Sequence, residues 1–472
     1  MRRRLVPALC ALLAGGCSMN PKLDRPPAPV AAAYPGALPA DAAGAVSLGW
    51  RDMFGDPRLQ ALIALALQEN RGLRIAVLNV EAARAQFRVQ RGALLPAVEA
   101  QGGYTRQRIP TSVAGAGLGL EGDGAGPGGF EFGQYSAQAA LTGFEIDLFG
   151  RLRSLSQAAF ERYLATDAGR RATQIALIGA VADAYLAERH AEEQLRLTER
   201  TLADWRTSLD LVRRLRAASQ SSGLELSQAE GLVHQAQADL EARTRALAEA
   251  RNALELLVGA PLPTDLPSPI GLMDQPIRTQ LPAGAPSDLL LRRPDIRQAE
   301  HDLIAANADV GAARAAFFPR LSLTAAFGFT SIALDTLFSG DSRSWSFTPQ
   351  LTAPIFQRGQ LRGNLDLAKV RKEIAISHYE QTIQSAFREV ADGLAGRATY
   401  ERQLAAQQGA AQSATRRVQL STMRYRAGVD SRLELLDAQR SEYAARFAML
   451  ETRRQELSSA AGLYRALGGG LD

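Results

Sequence analysis

Six side chains in this 472-residue chain could ligate a metal or act as a thiol nucleophile: Cys10, Cys17, His190, His234, His301 and His378. The histidines are far apart and form no HxxxH or HExxH pair, so a zinc hydrolase is not expected. Both cysteines lie in the first seventeen residues, which excludes disulfides and thiolate metal sites from the rest of the chain. No Ser/His/Asp set or paired carboxylates are placed for catalysis, and no GxxxxGK[ST] loop is present to cradle a nucleotide. The expectation is therefore a protein that is not an enzyme and has no motor of its own. A net charge of +5, carried almost wholly by Arg, with no long basic block, argues against nucleic acid as a partner. With 46% hydrophobic residues the chain is too apolar to be disordered.

The cysteine with a plausible reaction is Cys17. Arg2-Arg-Arg4 is followed by an apolar run from Leu5 to Ala14, too short to span a bilayer as a helix, and then by Gly15-Gly16-Cys17-Ser18. Small residues before a Cys at the end of such a run resemble a bacterial lipoprotein cleavage site, where the thiol receives diacylglycerol. The reading is a signal over 1–16, lipid on Cys17 as the sole covalent addition, no cofactor, and a Pro/Ala-rich tether over 17–57. The alternative is an ordinary cleaved signal with an incidental Cys. Ser18, rather than Asp, after the Cys is compatible with export to the outer membrane.

What would hold such a chain in place is a structure written twice. Val181-Ala-Asp183 recurs as Val390-Ala-Asp392, Gly150-Arg-Leu-Arg153 as Gly359-Gln-Leu-Arg362, and Leu224-Glu-Leu226 as Leu433-Glu-Leu435, each 209 residues on (390 − 181). Leu94-Leu-Pro96 matches Phe317-Phe-Pro319 at a different offset, so loop lengths differ between copies. The repeats are placed at 58–258 and 288–472, joined by a Pro-rich linker over 259–287. Each has a helix of moderate length (about 58–92; 288–316), two strands (about 94–107 and 133–147; 319–330 and 344–356), a very long helix (about 151–215; 360–425), a tight break and a shorter helix (about 224–258; 431–467). Leu226, Val233, Leu240, Leu247 and Leu254 recur every seven residues, as do Leu436, Tyr443, Leu450, Leu457 and Tyr464, which predicts coiled-coil packing. Leu195, Leu202 and Leu209 continue the pattern beside Trp205 and Val212.

The strands alternate. Leu321, Leu323, Ala325, Phe327 and Phe329 oppose Ser322, Thr324, Ala326 and Gly328, while Trp345, Phe347 and Leu351 oppose Ser346, Thr348 and Gln350. A half-buried sheet in a soluble domain would also alternate. The Gly-rich run from Gly115 to Gly133 suits a long external loop and favours membrane strands. Four strands cannot close a barrel, and edges cannot stay open in lipid, so the chain is expected to share a barrel with other copies. Spacing alone permits a dimer, trimer or tetramer.

Leu289-Leu-Leu-Arg-Arg-Pro-Asp-Ile296, Phe144-Glu-Ile-Asp-Leu-Phe-Gly150, Ala353-Pro-Ile-Phe356 and Tyr425-Arg-Ala-Gly-Val-Asp-Ser431 resemble the signatures of the TolC superfamily of outer membrane factors, most closely its lipoprotein (OprM/NodT) branch. The resemblance implies a mainly α fold with membrane β: two structural repeats, a four-stranded share of a trimeric β-barrel, and a coiled-coil α-barrel in the periplasm. An equatorial region would come from residues near 259–294 and both termini. It implies a homotrimer in the outer membrane, acting as a passive exit duct for small molecules. Its partners would be a periplasmic adaptor and an inner-membrane pump of the resistance-nodulation-division class. A type I protein-secretion duct is the alternative; six Met and scattered His give no hint of metal export. Carried over residue by residue, the periplasmic gate falls on Tyr425, Glu434, Asp437 and, in the first repeat, Glu225. Asp430 stands where the family has a gate arginine, and Gln228 where a second acid would be. Loops 216–224 and 426–433 match the places where adaptor hairpins dock. The bland alternative for each acid is a solvated coiled-coil face.

Overall fold

The computed structural model describes residues 18–35, 48–110, 130–282 and 292–470. Cys10, Cys17, most of the Gly-rich loop and Leu289–Leu291 of the signature lie outside the described residues. The helices are α1 (Trp50–Met53), α2 (Pro57–Glu69), α3 (Arg71–Gly92), α4 (Arg151–Ala217), α5 (Gly223–Val258), α6 (Pro294–Ala315), α7 (Gln360–Arg426) and α8 (Arg432–Ala466). The strands are β1 (Val98–Ile109), β2 (Phe130–Ile146), β3 (Arg320–Ser331) and β4 (Arg343–Thr352). No helix among the described residues is long and apolar enough to cross a membrane.

The chain forms two compact units. One comprises residues 1–25, 82–163 and 301–376 and contains the sheet, an antiparallel meander in the order β1-β2-β3-β4. Its register aligns the alternation across strands. Ala100 lies opposite Ala139, Ala139 opposite Phe327, and Phe327 opposite Trp345. Gln101 lies opposite Gln138, Gln138 opposite Gly328, and Gly328 opposite Ser344. Because side chains of a strand alternate between faces, one face carries Val98, Tyr104, Leu141, Phe327, Phe347 and Leu351, and the other Ser, Thr and Gln. Phe327, Trp345, Phe347 and Leu351 are 60–77% exposed within the chain, so this apolar face has no cover from its own helices. A bulge between Leu141 and Phe144 keeps Phe144 on that face; Gly143 takes φ 64° there and its N–H donates to Thr324 Oγ1 at 3.3 Å. Below the sheet α4 and α6 meet through Ala158, Ala305 and Ala308. The stretch after Ser18 is strapped to this seam: Asn20 donates to Gln157 at 2.8 Å and accepts from the Ser154 hydroxyl at 2.7 Å, and Asn307 donates to the Pro21 carbonyl at 2.9 Å. A Cβ on Gly311 would lie 1.7 Å from Asn20 Oδ1, so the strap needs glycine there.

The second unit comprises residues 26–81, 164–300 and 377–472. Leu202, Trp205, Leu209 and Val212 of α4 pack on Ala229, Val233 and Ala236 of α5, with Leu226 and Leu240 at the margin of the seam. Leu436, Leu450, Leu457 and Tyr464 of α8 are buried. Met53, Phe54, Leu59, Leu62, Ile63 and Leu272 are fully buried, and Phe54 lies edge-on to Tyr464 of α8 at 6.0 Å. Asp56, at the start of α2, is fully buried as well. Its carboxylate caps α2 by accepting from Arg58 N at 2.8 Å, and takes the Tyr185 hydroxyl at 2.6 Å and Gln275 Nε2 at 2.9 Å.

The moderate first helix expected over 58–92 is in fact two helices. Asn70 is extended (ψ 123°), its Oδ1 accepts from Leu73 N at 2.9 Å and its Nδ2 donates to the Leu257 carbonyl at 2.7 Å. The side chain thus caps the new helix and pins the break to the end of α5, where Gly259 closes in the left-handed conformation.

The signature arginine Arg293 is also structural. It is 7% exposed and donates to both oxygens of Asp295 at 3.0 and 2.6 Å, to Glu389 at 2.8 Å and to the Ala466 carbonyl at 2.9 Å. Burial opposes its charge, but Asp295 and Glu389 outweigh this and raise its pKa above the ordinary value.

Candidate functional site

The gate residues expected from sequence lie at the two helix reversals of the second unit. Between α4 and α5 the chain turns through Ser219 (φ 60°), and Gln220 N closes the helix end on the Leu215 carbonyl at 2.8 Å. Ser222 then caps α5 in a capping box: Glu225 N donates to Ser222 Oγ at 3.1 Å, and Ser222 N donates back to Glu225 Oε2 at 3.0 Å. Between α7 and α8 the turn uses Gly428 (φ 72°), Val429 N bonds the Arg424 carbonyl at 2.9 Å, and Ser431 Oγ accepts from Glu434 N at 3.4 Å. The same Ser-x-x-Glu spacing starts both returning helices. Each Glu therefore has a helix-starting position that its sequence context explains.

Two guanidinium groups organise the four expected residues. Arg432, 2% exposed, stacks over the Tyr425 ring at 5.3 Å, donates to Ser208 Oγ across to α4, and attracts Glu225. Burial lowers its pKa from the ordinary value, and its Nε has no partner among the described residues. Arg417 bridges the other pair, 2.7 Å from Asp437 and 3.7 Å from Glu434, with Arg440 3.7 Å from Asp437. These groups are all about half exposed. The Glu225 carboxyl is held below the usual range by the Ser221 hydroxyl and the Ser222 amide, so it remains an anion committed to its cap.

Asp430 accepts from Arg424 Nε at 2.9 Å to each oxygen, and Arg424 hydrogen bonding depresses its pKa. The ion pair forms within the turn itself. Arg417, Arg424 and Arg432 were not singled out from sequence. The Ser-x-x-Glu boxes at 222 and 431 were readable signals; the partners of the arginines depend on how helices pack. No group of His, Cys, Asp and Glu among the described residues could hold a metal ion.

Higher on the same bundle, His190 lies 3.3 Å from Glu451 and 3.0 Å from Gln194. Burial pushes its pKa down to about 4, against the pull of Glu451. The folded state thus resists a proton that the unfolded chain accepts near pH 6.5. Stability is full above that value and falls as pH drops toward 4, by about 1.4 kcal/mol per pH unit. His190→Gln is expected to flatten the fall between pH 6.5 and 5 in thermal unfolding followed by circular dichroism; an unchanged slope would place the acid sensitivity elsewhere.

A family model described as outer membrane efflux protein matches residues 62–260 and 285–469. The chain is 45% identical over 469 residues to the probable efflux pump outer membrane protein TtgC of Pseudomonas putida, covering 98% of this chain and 94% of that one. It is 43% identical to the outer membrane protein OprJ of Pseudomonas aeruginosa, covering 98% and 95%. Among solved structures, the open state of the MtrE outer membrane channel of Neisseria gonorrhoeae superposes with a TM-score of 0.87 at 40% identity, covering 97% of this chain and 99% of that one. The matched model spans both repeats, and the fold is that of TolC-like outer membrane channels, which are not enzymes. The chain belongs to the outer membrane efflux protein family.

Proposed function

We propose that three copies of this chain close a twelve-stranded barrel in the outer membrane and serve as the passive exit duct of a tripartite efflux system for toxic small molecules. The observation that carries this reading is the four-stranded sheet, with one face of exposed aromatic and aliphatic side chains and with β1 and β4 as unpaired edges. Such a face is soluble only against lipid, and such edges persist in lipid only if another chain covers them. Names of relatives such as the solvent efflux pump outer membrane protein SrpC support the class of cargo. A periplasmic adaptor would dock at loops 216–224 and 426–433, and a resistance-nodulation-division pump would supply the energy.

In this reading Cys17 carries the lipid. Metabolic labelling with a fatty acid is expected to mark the wild type and not Cys17→Ser; persistent label in the mutant would refute the assignment. The strap of residues after Ser18 onto α4 and α6 fits an anchored N-terminus.

Tyr425, Glu434, Asp437 and Glu225 form the periplasmic gate in this reading, with Arg417 and Arg432 as the cations that hold it shut. Each exposed ion pair contributes about 0.2–1 kcal/mol, so removing one is expected to raise open probability about 1.5- to 5-fold per chain. Asp437→Ala with Glu434→Ala should show this in single-channel recordings, together with weaker cation preference. Unchanged conductance and selectivity in the double mutant would move the gate to the Arg432–Tyr425–Glu225 group.

A further inference from the structure

Just below the sheet, a cavity of about 410 Å³ opens between the start of α4, the end of α6 and the start of α7. Four arginines line it: Arg151, Arg162, Arg320 and Arg371. Two are already neutralised. Arg151 donates to both oxygens of Glu145 at 2.9 and 2.6 Å, and Arg162 is paired with Asp309. Arg320 and Arg371 are exposed and form no hydrogen bond or ion pair among the described residues. Asp309 also attracts Arg371, but four arginines against Asp309 and Glu145 leave the cavity net positive. Apart from Asp309 and Asn364, the rest of its wall is apolar, made of Leu155, Leu367 and small alanines of α6 and α7.

The sheet register says which side it faces. Arg320 is the partner of Thr352, and Glu145, which holds Arg151, is the partner of Ser322. Both belong to the Ser/Thr/Gln face, opposite Phe327 and Phe347. In the barrel proposed above, that face lines the channel. A volume of this size suits a drug-sized molecule, and apolar walls with a few convergent charged groups are the usual make-up of an organic ligand site. Guanidinium pairs match carboxylate, sulfonate and phosphate oxygens in geometry as well as charge.

We propose that this cavity is a lumenal binding station for amphiphilic organic anions, with Arg320 and Arg371 taking the anionic head and Leu155, Leu367 and the alanines the apolar body. It rests on the exit-duct reading for its place in the channel, and it gives that duct a class of cargo it retains. Arg151 and Arg162, tied to their carboxylates, shape the wall and do not compete for the head group.

The test uses the purified full-length protein in phosphatidylcholine nanodiscs and equilibrium dialysis with radiolabelled 2-naphthalenesulfonate. Saturable binding of one anion per chain is expected, weakened about tenfold or more in Arg320→Gln/Arg371→Gln. A trimethylammonium analogue with the same ring should not bind. Both arginines are exposed, so the double variant should assemble normally; Arg320→Lys/Arg371→Lys should retain part of the affinity. Equal binding by the double Gln variant, or by the cationic analogue, would overturn the proposal. Loss of binding in nanodiscs containing phosphatidylglycerol would also overturn it, because a lipid head group would then be the occupant. The assay reads the site without transport. Failed binding in a protein that still conducts ions refutes the station alone, whereas a protein that binds the anion but never conducts refutes the duct.

Discussion

Asp56→Ala is expected to be the most damaging single substitution in the second unit, at about 3–5 kcal/mol. The sum has three parts. Loss of the α2 cap costs about 1 kcal/mol. The Tyr185 hydroxyl is left buried without its acceptor, at about 1–3 kcal/mol, and Gln275 Nε2 loses one of its two acceptors, at about 1 kcal/mol, keeping the Ile270 carbonyl at 2.8 Å. Tyr185 is fully buried and Gln275 is 3% exposed, so water cannot replace the carboxylate without opening the cluster. Asp56→Asn keeps the volume and, through Oδ1, the cap, but puts an N–H where Tyr185 and Gln275 share Oδ2, so it should lose less than Ala and still more than wild type. Urea unfolding of the purified protein followed by tryptophan fluorescence checks this, since Trp50 packs in the same region. Wild-type stability for Asn beside a large loss for Ala would mean that volume, not hydrogen bonding, holds the junction. Burial, with Asp56 beside it, raises the pKa of Tyr185 above its ordinary value, so the tyrosine remains a donor at any working pH.

The second large effect is in the barrel. Phe347→Arg places a charge on the lipid-facing side of β4, where the cost at mid-membrane is about 2–4 kcal/mol; Thr348→Arg, one residue on, points to the polar face and should cost far less. Phe347 lies opposite Ala325 and Thr348 opposite Thr324, both in regular pairing, so the two variants differ in face and not in backbone geometry. Assembled protein in outer-membrane fractions, read on gels without boiling, should fall at least tenfold for Phe347→Arg and stay near wild type for Thr348→Arg. Equal losses would mean that the facing is inverted or that these are not membrane strands. The same contrast is expected between Leu323, on the apolar face, and Thr324.

Much of this was legible because it is periodic. The two-residue alternation of Leu321 to Phe329 and Trp345 to Leu351 assigns faces before any register is known, and the register then aligns those faces across four strands. The seven-residue spacing of Leu202 and Leu209 against Val233 selects the side of each helix that is buried. What was not legible depends on contacts distant in sequence. Asn70 sits in an apparently continuous helical pattern, and only its bond to the Leu257 carbonyl, 187 residues away, explains the break. Asp56 gains its meaning from Tyr185 and Gln275, which no local pattern connects to it. At the reversals, the acids were marked by resemblance, whereas the arginines that engage them, Arg417 and Arg432, reach across a helix pair. Glu225 shows both sides: resemblance marked it as a gate acid, and the structure commits its carboxylate to a capping box with Ser222.

In the proposed duct three chains share one barrel by joining β4 of one chain to β1 of the next. Cys10 and Cys17 are the only native thiols and precede the strands, so introduced cysteines report cleanly. Gln101→Cys on β1, combined in turn with Ser344→Cys, Ser346→Cys, Thr348→Cys or Gln350→Cys on β4, scans the polar face of both edges at successive registers. Oxidation in intact cells, followed by denaturing electrophoresis, is predicted to give cross-linked products ending at three chains for at least one pair, with no larger species. Chains that remain monomeric at every register, or a largest product of two or four chains, would contradict the shared trimeric barrel.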